Sequence, residues 1–338
     1  MTSTSELTAV KVVEGCGPDN LPAEVLGSDE PLLLKGLVSE WPAVQACSKS
    51  LPDAANYLSK FWTNELVTVY VSDENDGRFF YNDEFTGFNF RAGTAHFGQV
   101  MQKLSENPGS EGQAIYMGST NVDRWLPGFR KQNDVAMPSD DGLVSIWIGN
   151  KTQISAHYDF PDNIACVVAG NRRFTLFPPD QIENLYVGPI DRTPSGQSIS
   201  LVDFKNPDFD RFPRFAEALK HARVCDMQPG DAIFLPSMWW HHVESFSPYN
   251  ILVNYWWTGK GTSVTLSSPS AALMHGILAF RELPERQRAA WKKLFDYYVF
   301  SADSSVYEHI PEAGRGCLAP LDESSAKMLR DEMMKRLG

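Results

Sequence analysis

Between residues 114 and 257 the chain breaks into short apolar or alternating runs separated by Gly, Pro or Asn. Eight stand out: 114–117, 143–148, 153–159, 163–168, 172–177, 231–235, 240–246 and 251–257. Each is too short for a stable helix, and β-branched and aromatic residues recur in them. Such a series of short strands, punctuated by turns, folds most readily as an antiparallel jelly roll. Gly170-Asn171 reads as a two-residue hairpin turn between two of the runs.

The flanks have a different texture, which divides the chain into an α+β elaboration over 1–113, a β core over 114–259 and a helical extension over 260–338. In the first part, 51–61 reads as a helix. Residues 67–71 and 79–81 read as strands around the turn Asp73-Glu74-Asn75-Asp76-Gly77. Residues 95–104 have helical spacing, with Phe97, Val100, Met101 and Leu104 on one face. In the last part Trp291, Leu294, Phe295 and Tyr298 make an i, i+3, i+4, i+7 stripe, and 322–337 carries Leu329, Met333 and Leu337. These faces must be buried somewhere, either as a cap on the chain's own β core or as a dimer interface.

Charge narrows the function. With 30 Lys+Arg against 42 Asp+Glu the net charge is −12, which disfavours general binding to a phosphate backbone. The five cysteines are scattered and form no CxxC, so they read as thiols of a reducing compartment. Residues 1–14 lack the basic and apolar regions of a signal peptide, and no run approaches a membrane span. The expectation is a cytoplasmic protein.

Chemistry concentrates at His157-Tyr158-Asp159 and at Trp239-Trp240-His241-His242-Val243. Residues i and i+2 of a strand share a face, so His157 and Asp159 can point together into a barrel. One histidine from a distant strand completes two imidazoles and a carboxylate. That set occupies one face of an octahedral metal and leaves the other open, as in non-haem Fe(II) oxygenases. His241 and His242 are adjacent, so only one of them faces inward. Arg172 shares parity with Phe174 and Leu176, and an arginine facing an apolar interior calls for an anion. Only one of Arg172 and Arg173 can point in. Asn163 and Asn254 lie in apolar runs and need partners, either a ligand or each other's strand. Trp256 shares the Asn254 face, and at most one tryptophan of the pairs 239/240 and 256/257 should line a pocket.

The run Ala156-His157-Tyr158-Asp159 followed by Gly170-Asn171-Arg172-Arg173-Phe174-Thr175-Leu176-Phe177-Pro178-Pro179-Asp180-Gln181 resembles the cupin-like, Jumonji-C-type 2-oxoglutarate oxygenases. So do Val202-Asp203-Phe204, Asn206-Pro207-Asp208, Arg211-Phe212-Pro213, Pro229-Gly230-Asp231 and residues 236–245. Within that family the likeness is greatest to the asparaginyl hydroxylases, and it runs in order from about Gly36 to Trp257. The resemblance implies a mainly β protein, a double-stranded β-helix (cupin jelly roll) with an N-terminal α+β elaboration and a C-terminal helical extension that dimerises. It implies iron ligands at His157, Asp159 and His241, the last because the family's ligand follows the tryptophan directly. It implies 2-oxoglutarate bound at Arg172, where the asparaginyl hydroxylases have lysine, and at Tyr116, Asn163 and Asn254, with Trp256 in the same pocket. Ile154 stands where those enzymes have a threonine, and Ser198-Ile199 where they have an Arg-Gln pair that grips the target amide.

The implied activity is that of an Fe(II)/2-oxoglutarate-dependent dioxygenase, using O2 and releasing succinate and CO2, that hydroxylates a protein or peptide side chain. Alternatives are action on RNA or a small molecule, N-demethylation, a cupin metalloenzyme of isomerase type that does not use 2-oxoglutarate, and a non-catalytic scaffold.

Overall fold

The computed structural model describes residues 7–73, 76–107, 112–139, 142–194, 196–258 and 268–337. Its strands, in chain order, are β1 (Thr8–Ala9), β2 (Lys11–Val13), β3 (Leu32–Leu34), β4 (Val67–Ser72), β5 (Arg78–Phe79), β6 (Phe90–Ala95), β7 (Ala114–Asn121), β8 (Leu143–Gly149), β9 (Gln153–His157), β10 (Asp162–Ala169), β11 (Arg172–Phe177), β12 (Arg223–Met227), β13 (Ala232–Leu235), β14 (Trp240–Ser245) and β15 (Asn250–Trp257). They form a six-stranded sheet, β1-β12-β11-β14-β9-β5, and a nine-stranded sheet, β2-β3-β13-β10-β15-β8-β7-β4-β6.

The centre of each sheet is an antiparallel quartet, β12-β11-β14-β9 in one and β13-β10-β15-β8 in the other. Consecutive strands mostly alternate between the two, which is the jelly roll. The N-terminal segment extends both sheets, so β1 and β5 flank the smaller quartet while β2, β3, β4, β6 and β7 flank the larger.

Alternation along the strands explains why so many runs are continuously apolar. On β10, Ile164, Cys166 and Val168 face the N-terminal helices, whereas Ala165 and Val167 face the interior of the roll. On β15, Val253 and Tyr255 belong to the first cluster and Leu252 to the second. A strand buried on both faces loses the polar half of its alternation. The helix Phe97–Glu106 buries Phe97, Val100, Met101 and Leu104 against the larger sheet, the face the spacing indicates. Each such side chain is worth roughly 1.5–3 kcal/mol when fully buried. The helix over 51–61 is observed as Leu51–Ser59, capped by Ser50, whose hydroxyl accepts from the Asp53 N–H at 3.2 Å. A third cluster covers the outer face of the smaller sheet with Phe177, Phe212, Phe215 and Trp240.

Two expectations are corrected. Seven of the eight runs are strands of the two quartets; 114–117 belongs to β7, which flanks them, and β12 takes its place. The residues of β12 carry Arg223 and Asp226, so only Cys225 and Met227 are buried, too few to make an apolar run. Gly170-Asn171 is a corner between sheets and not a hairpin. β10 already has β13 and β15 on its two edges, leaving no edge for β11. Gly170 has φ +77°, and a Cβ there would lie 2.3 Å from Asn250 Oδ1. Within the turn at 73–77, Glu74 and Asn75 lie outside the described residues, as does the 259/260 boundary.

The chain divides into two compact units, Met1–Thr258 and Gly259–Gly338. The second contains the helices Pro269–Phe280, Glu285–Phe295 and Glu323–Leu337. No helix among the described residues is long and apolar enough to cross a membrane.

Candidate metal centre

β9 ends at His157, so Asp159 does not share a strand with it as the i, i+2 spacing suggests; it lies in the loop that leads to β10. The two still converge. β14 places His241 directly opposite His157, with ring centroids 4.3 Å apart. One ligand atom from each of His157, Asp159 and His241 lies within 4.8 Å of the others. Asp159 Oδ2 is 3.7 Å from His241 Nε2.

Each imidazole is held through its other nitrogen. His157 Nδ1 meets Ser155 O at 3.0 Å, and His241 Nδ1 meets Trp239 O at 3.0 Å. A carbonyl only accepts, so Nδ1 carries the proton and Nε2 keeps its lone pair for a metal. Burial, and His157 facing it, push the His241 pKa well below its ordinary value, so the ring is neutral at physiological pH.

The adjacent histidine points the other way. His242 is buried on the outer face of the smaller sheet and stacks on Phe204 at 4.6 Å. Burial, with Arg78 nearby, pushes its pKa down to about 3, and its Nδ1 has no hydrogen-bond partner.

The triad lines a half-open cavity of about 610 Å³. Arg172 opens β11 inside it at 3 % exposure, and burial pulls its pKa down to about 10. Its Nε has no hydrogen-bond partner, and among the described residues no carboxylate pairs with it. Arg173 points outward and grips Asp226 with two bonds of 2.7 and 2.8 Å. Tyr116 on β7 lines the same wall, stacked on Trp147 at 5.6 Å, and burial raises its hydroxyl pKa.

Asn254 Nδ2 donates to Asn163 Oδ1 at 2.9 Å, a single bond across strands that leaves Asn254 Oδ1 without a partner among the described residues. Trp256 borders the cavity, and its indole N–H donates to Asp159 Oδ2 at 3.0 Å. Trp257 borders it too, although its ring stacks on Phe234, so both members of this pair reach the cavity and neither Trp239 nor Trp240 does. Ile154 and Ile199 are in the wall, and Ser198 is buried.

Trp147 was not singled out by the sequence, yet its indole N–H is a buried donor without a partner in the cavity wall. Parity held the signal: Trp147 alternates with Ile146 and Ile148, which pack on the helices. The residues are compatible with a metal and an anion. Two imidazoles and a carboxylate converge, two unpartnered donors (Arg172 Nε and Trp147 Nε1) border the same cavity, and Asn254 Oδ1 adds one unpartnered acceptor. Buried polar atoms without partners are costly unless a ligand supplies them.

A family model described as a cupin-like domain matches residues 18–263. The chain is similar to tRNA wybutosine-synthesizing protein 5 of Gallus gallus, 26% identical over 316 residues that cover 84% of this chain and 92% of that protein. It is also similar to Lysine-specific demethylase JMJ31 of Arabidopsis thaliana, 34% identical over 115 residues, which are 34% of this chain and 20% of that one. To HSPB1-associated protein 1 of Homo sapiens it is 36% identical over 129 residues, 37% of this chain and 26% of that one. The matched length is thus nearly complete for the first relative and a minor part of the other two.

Proposed function

The chain belongs to the cupin-like domain family, and from that premise we propose that it is an Fe(II)/2-oxoglutarate-dependent dioxygenase that hydroxylates an uncharged side chain of a protein or peptide. The observation that carries the reading is Arg172, a buried cation without a carboxylate, in the same cavity as the convergent His157, Asp159 and His241. The likeness to a relative named a lysine-specific demethylase supports an enzyme that acts on protein.

His157 and His241 would hold iron through Nε2 and Asp159 through its carboxylate. Iron so held supplies oxidative decarboxylation of 2-oxoglutarate with O2, giving succinate and CO2, and the oxidising power to insert one oxygen atom into a C–H bond. Arg172 would pair with the far carboxylate of the cosubstrate, with the Tyr116 hydroxyl and the Trp147 N–H as further donors. The Asn163–Asn254 pair would present its free amide oxygen to the same pocket. Phe174, Leu235, Val243 and Leu252 line the cavity and exclude water around these polar groups.

The substrate reading rests on charge. Apart from Arg172 and the triad, no ionised side chain lines the cavity among the described residues. Leu143, Phe160, Ile199 and Trp256 would receive an apolar or neutral group. A cation-gripped amide is not part of the proposal, because Ile199 stands in the wall. A second reading, oxidation of an RNA base, is favoured by the 92% coverage of a relative named for tRNA wybutosine synthesis. A single experiment separates them. The Fe(II)-loaded protein is incubated with 2-oxoglutarate and either the protein or the RNA fraction of a lysate, and succinate is measured with mass spectrometry of the products. Succinate above background with one added oxygen in a protein supports the first reading, and in RNA the second. Metal binding with no 2-oxoglutarate turnover in either would leave the cupin isomerase alternative.

A further inference from the structure

The loop position of Asp159 raises a question the triad alone does not answer. A carboxylate beyond the end of a strand is not fixed by the ladder, yet a metal ligand must be held in place. Two ties hold it. The backbone N–H of Met238 donates to Asp159 O at 2.9 Å, and Met238 adopts φ +67°, a left-handed conformation that a non-glycine residue rarely takes. The Trp256 indole N–H donates to Asp159 Oδ2 at 3.0 Å and is the tie on the carboxylate itself.

The indole is in turn fixed by its setting. Trp256 lies on β15 between β10 and β8, opposite Asn163 on one side and Leu143 on the other. Its ring meets Trp147 edge-on at 6.0 Å and 76°, and Trp147 stacks on Tyr116. An indole N–H donates only and cannot ligate a metal. Already directed at Asp159, it is not free to bind a cosubstrate oxygen.

We propose that Trp256 is a positioning residue for the metal centre, holding the Asp159 carboxylate in its ligating orientation, and not a cosubstrate contact. The inference rests on the reading of His157, Asp159 and His241 as metal ligands. The Trp256 N–H would occupy one lone pair of Oδ2 and limit rotation of the carboxylate, leaving its remaining lone pairs for the metal. Hydrogen bonds of this kind to metal ligands typically contribute 10–100-fold in metal affinity.

The test is Trp256→Phe, which keeps an aromatic ring and deletes the donor. Calorimetry with Mn(II) gives metal affinity, and 2-oxoglutarate titrated at saturating Mn(II) gives cosubstrate affinity. The expected result is a loss of roughly 10–100-fold in Mn(II) affinity, with 2-oxoglutarate affinity at saturating metal and the melting temperature of metal-free protein unchanged. Unchanged Mn(II) affinity, or a loss confined to 2-oxoglutarate, would overturn the proposal. A wild type that binds no Mn(II) would overturn the metal reading beneath it as well. Should the variant not fold, the wild type decides through NMR of its Zn(II)-loaded form. An indole N–H of Trp256 protected from exchange, and shifted by Zn(II), supports the tie, whereas a freely exchanging one contradicts it.

Discussion

Arg172 and His242 are both buried without full hydrogen bonding, and their consequences differ. Among the described residues no carboxylate pairs with Arg172 and its Nε has no hydrogen-bond partner, so its burial is costly. Arg172→Met should therefore leave metal-free protein as stable or more stable, while weakening 2-oxoglutarate binding by about 2–5 kcal/mol. Thermal unfolding and calorimetry on the same variant check both halves. A variant that is less stable and still binds the cosubstrate would show that the cation serves the fold.

For His242 the sign follows from where its proton goes. The unfolded chain takes up a proton below the ordinary value of 6.5, whereas the native ring resists protonation until about 3. Its contribution is complete above pH 6.5 and is lost as pH falls from there toward about 3. Between about pH 7.5 and about pH 5 this one group accounts for about 2 kcal/mol of lost stability. Urea unfolding of chelator-treated protein at both pH values measures it, and His242→Gln should shrink the difference by that amount. Metal content should stay near wild type in His242→Gln, since the ring lies on the face away from the cavity.

At the level of elements, legibility in the sequence followed burial pattern. β10, β11 and β15 were readable because both of their faces are apolar; strand parity said that only one of His241 and His242 faces inward, and the family resemblance, not parity, picked His241. β12 was not readable because Arg223 and Asp226 interrupt it and only Cys225 and Met227 are buried. The location of Asp159 past the end of β9, and the N–H of Trp256 directed at it, depend on which strands meet and in what register. Local spacing does not encode that. For Trp147 parity gives the face, away from Ile146 and Ile148, but its place beside Trp256 emerges only once β8 lies beside β15. The Gly170 corner was legible as a reversal but not as a crossing between sheets. Its demand is testable: Gly170→Ala forces a Cβ to within 2.3 Å of Asn250 Oδ1 at a positive φ. A loss of about 2 kcal/mol or more is expected from the combined clash and backbone strain, read from the midpoint of urea unfolding. A loss under about 0.5 kcal/mol, the level of an ordinary surface substitution, would mean the corner relaxes freely.

At the scale of the whole molecule, the second unit leaves large apolar surfaces exposed. None of the residues of Pro269–Phe280 is buried, Leu278 is 80% exposed, and Trp291, Leu294 and Tyr298 are all more than 40% exposed. Patches of this kind mark association sites. We propose that the exposed apolar residues within 268–337 form the contact of a homodimer. Light scattering should give twice the chain mass for wild type and a monomer for Leu294→Asp, with the near-UV signal of the β unit retained. A monomeric wild type would refute it.

The central claim joins the metal triad to Arg172 in a single cavity, and titration of 2-oxoglutarate into the protein with and without Mn(II) tests it most directly. The account predicts one cosubstrate site per chain that appears only when Mn(II) is present, that disappears in His241→Ala with the metal, and that weakens by about 2–5 kcal/mol in Arg172→Met while the metal stays bound. Mn(II) binding to the triad with no 2-oxoglutarate binding at any metal concentration would contradict it.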